Sequence, residues 1–177
     1  MHLTQVPAHP CDQQRGFTII ELLVALTIAA VMMAFALPAF NDFTVQRRMA
    51  ANVNQLVSAV SYARSEATRF GGVVTLQAED ASDGGDEWGP GFCVTAGDPG
   101  DCDASLRSFR LEGDVTLNGI DGLQNVDGLS FNSRGMLMGG LTGAIQLCGV
   151  DADDDPGRVV NINAVGRTNI LNLTCYP

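Results

Sequence analysis

Apolar residues run almost unbroken through residues 17–40 and then thin to one position in every three or four. This is the change from a helix that is hydrophobic all round to one with a single apolar face. The first stretch, 24 residues as a helix, would reach about 36 Å against a hydrocarbon core of roughly 30 Å. It is long enough to cross a membrane. Beyond it Val45, Met49, Val53, Leu56, Val60, Ala63, Ala67 and Phe70 lay one apolar stripe along residues 41–70, and Gly71-Gly72 supplies a stop. Pro38 removes a backbone donor inside this helix, which predicts a kink or loosened turn there. From residue 71 the pattern changes to short β-prone runs. Segments 73–77, 91–95, 106–111, 115–117, 129–132, 144–148, 159–163 and 169–174 read as strands. Between them Gly84-Gly85, Asp98-Pro99-Gly100, Asn118-Gly119, Gly139-Gly140 and Asp155-Pro156-Gly157 are turn signals. No internal repeat interrupts them. The final 107 residues suffice for one small domain. The expected class is α+β, a long N-terminal helix packed on a β-rich head.

One carboxylate breaks the apolar run. Glu21 is the single charge within residues 17–40. A charge near a bilayer centre costs about 2.5–3.5 kcal/mol on insertion scales, so Glu21 marks a functional position. It sits in the string Arg15-Gly16-Phe17-Thr18-Ile19-Ile20-Glu21. A secretory signal peptide would have a shorter apolar core than this run.

That string, followed by Pro38, resembles the class III signal of type IV prepilins and type II secretion pseudopilins. The resemblance implies that a prepilin peptidase cuts after Gly16 and that Phe17 becomes the N-methylated first residue. It also implies that Glu21 faces the terminal amine of a neighbouring subunit during assembly, with Pro38 at the family's usual helix proline. An α-amino group is positive below a pKa of roughly 8, so cleavage would create the counter-charge that Glu21 lacks. Counting basic residues leaves topology open, since Arg47 and Arg48 follow the span and Arg15 precedes it. The cleavage motif decides it. Residues 1–16 are then a cytoplasmic leader, 17–40 a transmembrane helix in the inner membrane, 41–70 its amphipathic continuation, and 71–177 a periplasmic head. Implied partners are the peptidase, the assembly platform, and other minor and major pilins.

The head narrows the resemblance further. Tyr62-Ala63-Arg64-Ser65-Glu66-Ala67, Trp88-Gly89-Pro90-Gly91-Phe92, Leu106-Arg107, Phe131-Asn132-Ser133-Arg134-Gly135, a strand ending in Cys148 and Gly166-Arg167 follow in that order. This is similar to the GspH/FimT group of minor pilins and pseudopilins, whose fold is type IV pilin-like. The resemblance implies a structural subunit that helps initiate or cap a filament, in a type IV pilus or, alternatively, in a type II secretion pseudopilus.

Four cysteines fall in the head, Cys93, Cys102, Cys148 and Cys175, and a fifth, Cys11, in the leader. An even set in an exported domain implies disulfides with three connectivities. Cys93–Cys102 and Cys148–Cys175 are favoured because each closes a local loop and because the family often ties down its C-terminal strand. No Cys-x-x-Cys is present, which argues against zinc.

Charge removes other functions. Residues 71–177 carry 16 Asp or Glu against five Arg, a net of −11, and the chain has no Lys. Such a surface repels nucleic acid. Some FimT-like pilins are implicated in DNA uptake through a Gly-Arg-x-Arg motif. Here the positions read Gly166-Arg167-Thr168-Asn169, leaving Arg167 as the one candidate DNA-binding residue and a local carboxylate as its expected partner. The acidic run Asp151-Ala152-Asp153-Asp154-Asp155 begins like a calcium loop, but Pro156 and Ile162 stand where that loop needs glycine and a bidentate Glu. It reads as a solvated turn, and Asp83, Asp86 and Glu87 as loop decoration. His2 and His9 both lie in the leader, so the mature chain has no histidine for acid–base chemistry. No catalytic set, metal or cofactor is expected.

Overall fold

The computed structural model describes residues 16–79, 88, 91–113, 115–149 and 156–175, with the side chains of residues 37–39, 41, 42 and 156 left out. The chain divides into two compact units, Met1–Asp42 and Phe43–Pro177. One helix, α1 (Ile19–Phe70), contributes to both. It ends where Gly71 takes a positive φ of 67°, a conformation that costs glycine least.

In the second unit the apolar stripe of α1 is the centre of the core. Met49, Val53, Leu56, Val60, Ala63 and Ala67 are buried, joined by Ala59. The stripe is shorter than its sequence pattern. Val45 and Phe70, its two ends, are 39% and 51% exposed, because the core reaches only from Met49 to Ala67.

Eight antiparallel strands follow in two sheets: β1 (Val74–Ala78), β2 (Gly91–Ala96), β3 (Arg107–Arg110), β4 (Val115–Ile120), β5 (Gly128–Phe131), β6 (Gly143–Gly149), β7 (Pro156–Ile162) and β8 (Thr168–Thr174). One sheet has the order β3-β2-β1-β5 and the other β4-β6-β7-β8. In the first, the pairings Val74↔Phe131, Leu76↔Leu129, Leu76↔Val94 and Phe92↔Phe109 put seven large apolar side chains on one face, against α1. Its other face buries polar groups. Thr75 donates to the Gly97 carbonyl at 2.7 Å, and the Gln77 carboxamide both accepts from the Gly100 N–H at 2.8 Å and donates to the Gly100 carbonyl. Those bonds fasten the loop after β2, and the Cys93–Cys102 disulfide closes it. In the second sheet Leu117, Ile145, Leu147, Val160 and Ile162 join the same core.

Two of the turn signals are not turns. Asn118 and Gly119 lie inside β4, paired with Gln146 and Ile145. The chain reverses later, at Asp121 and Gly122, whose φ values are 52° and 107°. Pro156 and Gly157 open β7, where proline is tolerated as a first strand residue. Gly157 is required there for another reason. A Cβ on it would stand 2.3 Å from Cys175 Sγ and 3.2 Å from Cys148 Sγ, so the gap left by glycine admits the second disulfide, Cys148–Cys175. Gly84-Gly85, the acids Asp83, Asp86 and Glu87, and the run Asp151 to Asp155 lie outside the described residues.

The second bridge spans 27 residues and fixes the end of β8. Loop-closure entropy assigns such a bridge about 3–4 kcal/mol. Cys175→Ser should therefore lower the melting temperature of the oxidised protein markedly, and non-reducing peptide maps of the wild type should show the two pairs. An unchanged melting temperature would deny the bridge its stabilising role.

Candidate assembly site

The start of α1 is built around Thr18. Its hydroxyl oxygen accepts from the Glu21 N–H at 3.3 Å, and its carbonyl accepts from Leu22 N–H at 3.2 Å. The Thr18-Ile19-Ile20-Glu21 spacing is that of a capping box. It places the Glu21 carboxylate in the first helical turn, where the helix's partial positive charge favours an anion. Among the described residues that carboxylate has no hydrogen-bond or ion-pair partner of its own. Gly16 and Phe17 precede the cap outside the helix, and Phe17 is 84% exposed. A Cβ on Gly16 would meet nothing within 4 Å, so the protein's own described packing does not demand glycine there.

Every side chain described from 16 to 36 is exposed. The window Ile19–Ala36 has a mean hydropathy of 2.5 and none of it is buried. So large a continuous apolar surface needs lipid or protein around it. Its hydroxyl at Thr27 is satisfied internally, donating to the Val24 carbonyl at 2.8 Å. Glu21 is thus the polar group in this surface whose demand has to be met from outside. The helical assignment of α1 runs through Pro38.

In the second unit three of the sequence motifs converge on Arg64. Its Nε donates to the Gly135 carbonyl at 3.1 Å and its Nη1 to the Gly166 carbonyl at 3.0 Å. One helix residue thereby holds the turn after β5 and the turn between β7 and β8. Gly166 has a φ of 70°, and a Cβ on it would lie 2.6 Å from Arg64 Cδ and 3.1 Å from Phe131. Asn52, fully buried, performs the same task nearer the span: its carboxamide donates to the Glu112 carbonyl at 3.0 Å and accepts from the Glu112 N–H at 2.9 Å. Neither role was visible in the sequence beyond the presence of polar residues beside the buried stripe. Arg64→Ala would leave two carbonyls without their charged donor. At roughly 1.5–3 kcal/mol for each such bond, the loss is about 3 kcal/mol or more. The melting temperature should fall by about 6–12 °C, while Arg134→Ala, which removes an exposed side chain, should leave it unchanged.

At the end of α1 the Glu66 carboxylate hydrogen-bonds the Arg69 guanidinium, and the bond and the charge together raise the pKa of Arg69. The arginine stays charged at any working pH.

Arg167 lies on the β7–β8 turn, which Asn163 organises: its side-chain oxygen accepts from the Arg167 N–H at 2.9 Å, and its carbonyl from Gly166 N–H at 2.7 Å. The Arg167 side chain is exposed and borders an open groove of about 510 Å³ shared with Asp121, Thr142, Asn161, Asn163 and Asn169. Among the described residues it makes no ion pair, although the carboxylate of Asp121 lines the same groove. Asn169 is a β8 residue paired with Asn161. Among the described residues no group of His, Cys, Asp and Glu side chains could hold a metal.

This arrangement agrees with what the chain is similar to. A family model described as Type II transport protein GspH matches residues 52–166, and a Prokaryotic N-terminal methylation motif matches residues 11–37. The chain belongs to the GspH family, with the type IV pilin fold. Crystal structures of the type IV minor pilin FimU of Pseudomonas aeruginosa in two crystal forms are 25% identical to it. The first gives a TM-score of 0.60 over 76% of this chain and 99% of FimU, the second 0.57 over 71% and 98%. The Type IV major fimbrial protein FimA of Dichelobacter nodosus is 42% identical over 41 residues, 23% of this chain. The chain spans about a quarter (26%) of the length of those fimbrial relatives. The family and fold are those of structural pilins, which are not enzymes.

Proposed function

We propose that this chain is a minor pilin of a type IV pilus, a structural subunit that helps initiate or cap the filament. A single observation carries the reading: a carboxylate with no partner among the described residues, in the first turn of an exposed, span-length apolar helix, on a chain whose remainder has the pilin fold. An acid so placed is a liability to an isolated membrane anchor and an asset to a subunit that meets a neighbour's amine. On this reading the prepilin peptidase removes residues 1–16 after Gly16 and Phe17 is methylated. The mature protein waits in the inner membrane as a single-pass protein with residues 71–177 in the periplasm. Glu21 then draws it into the filament at the assembly platform, against other minor and major pilins, with Pro38 adapting the helix to its neighbours.

Deleting the chain tests the reading. Surface filaments and the motility they drive should be lost or strongly reduced while secreted enzymes still leave the cell. The reverse pattern would transfer the chain to a type II secretion pseudopilus, the alternative that the GspH match itself favours.

DNA reception through Arg167 is the reading of another class. One exposed arginine on a head of net −11 gives a log–log salt slope near −0.9, too shallow for useful affinity. No shift of duplex DNA is expected at micromolar protein and about 50 mM salt. A clear shift that Arg167→Ala abolishes would promote the DNA-receptor reading.

A further inference from the structure

We infer that β8 is a docking edge that receives an extended segment from the head of a neighbouring pilin, one with apolar side chains flanked by carboxylates. The inference rests on the pilin reading above and adds the surface through which heads meet.

Sheet edges expose rows of unpaired backbone groups, and natural proteins blunt them with charge, short length or a covering segment. Three of the four edges here are blunted in those ways. β3 is four residues long and carries Arg107 and Arg110. β5 is equally short, and its Phe131 already bridges to Leu137. β4 has the Trp88 N–H on its Leu117 carbonyl. β8 differs from all of them: seven residues, Thr-Asn-Ile-Leu-Asn-Leu-Thr, without a charge, a proline or, among the described residues, a strand on its outer side.

Its side chains ask for the same thing as its backbone. Ile145, Val160 and Ile170 are cross-strand neighbours in register, so one apolar row runs from the core toward the edge. Ile145 and Val160 are fully buried, yet Ile170 at the end of the row is 43% exposed. Leu171, on the opposite face, is 52% exposed. One more strand would cover both. The edge is also held rigid before any partner arrives. The Cys148–Cys175 bridge fixes its C-terminal end, and the turn held by Asn163 and by Arg64 through Gly166 fixes the other. A preordered edge loses little entropy on pairing.

Charge selects the occupant. Arg167, next to Thr168, and Arg158, on β7 in register with Asn172, lie beside β8; among the described residues neither makes an ion pair, although Asp121 lines the groove that Arg167 borders and Arg158 donates to the Gly157 carbonyl. Carboxylates on the incoming segment would complete them. A second copy pairing β8 with β8 would bring no carboxylate to these arginines, since the strand has none, which disfavours self-pairing.

Amide hydrogen exchange of the full processed chain decides the matter, measured in detergent as isolated subunit and again in sheared filaments. Exchange across residues 168–174 should slow by about tenfold or more in filaments. Leu171→Lys should leave the melting temperature in detergent unchanged and cut recovery in filaments by about tenfold, whereas Leu171→Thr should keep it. Arg167→Glu should reduce recovery by about fivefold. Equal exchange in both states would overturn the docking edge while leaving the pilin reading intact, and wild-type recovery of Leu171→Lys would do the same. Concentration-dependent protection of β8 in the isolated subunit would replace the neighbouring pilin with a second copy. Wild-type recovery of Arg167→Glu would overturn the acidic partner. Absence of the wild-type chain from filaments would instead bring down the pilin reading itself.

Discussion

Glu21→Ala should be recovered from membranes at wild-type level and be almost missing from sheared filaments. The two halves of this result follow from opposite energetics. Removing the charge eases insertion, by less than the roughly 2.5–3.5 kcal/mol of a charge at the bilayer centre because Glu21 lies in the first turn, so anchoring does not suffer. On the proposed reading the same change leaves a neighbour's terminal amine in the filament with no counter-charge in an apolar setting, and breaking a buried pair in this way costs about 3–5 kcal/mol. About two to three and a half orders of magnitude in subunit partition correspond to that figure, at about 1.4 kcal/mol per factor of ten. Loss of the first-turn carboxylate also removes a favourable interaction with the helix N-terminus, though at the scale of about 0.3–1 kcal/mol it is the smaller effect. Glu21→Asp separates the two. It keeps the anion in the first turn but shortens its reach by one methylene, and should recover part of the assembly. Equal filament content of wild type and Glu21→Ala would remove the assembly role of Glu21.

Gly16→Val should accumulate as the uncut precursor. The described packing leaves open space around Gly16, with nothing within 4 Å of an added Cβ, so valine does not disturb the fold of the protein. Gly16 and Phe17 are outside α1, and Thr18 starts the helix whichever residue stands at 16. A block in processing would then reflect what a peptidase can accept at the residue before the scissile bond. On the proposed reading assembly uses the new amine at Phe17, so the precursor should be absent from filaments as well. Normal cleavage of Gly16→Val would show that glycine is not the determinant.

Much of this architecture was legible because its strongest features repeat. The stripe from Met49 to Ala67 keeps the helical period over five turns, and each strand is a β-prone run between glycines, so all eight could be placed. The errors lie where a short motif competed with a long-range partner. Asn118-Gly119 is a strong turn pair in isolation, yet strand β6 pairs with it residue for residue and the turn moves to Asp121-Gly122. Pro156-Gly157 reads as a turn until the disulfide beside Gly157 gives the glycine its purpose. Arg64 was hidden for the same reason. Its sequence neighbours show only a residue of the amphipathic stretch 41–70, whereas its two acceptors lie 71 and 102 residues away. At the helix start the sequence singles out Glu21, because a lone carboxylate in an apolar span stands out in any sequence, whereas the Thr18 hydroxyl that accepts from its N–H is a feature of the structure alone.

The most direct test of the central claim is the intact mass of this chain recovered from sheared filaments. The predicted species begins at Phe17, lacks residues 1–16, carries one added methyl group at its amine, and retains both disulfides. A chain that is found only in the membrane fraction, or that reaches filaments with residues 1–16 still attached, would contradict the account.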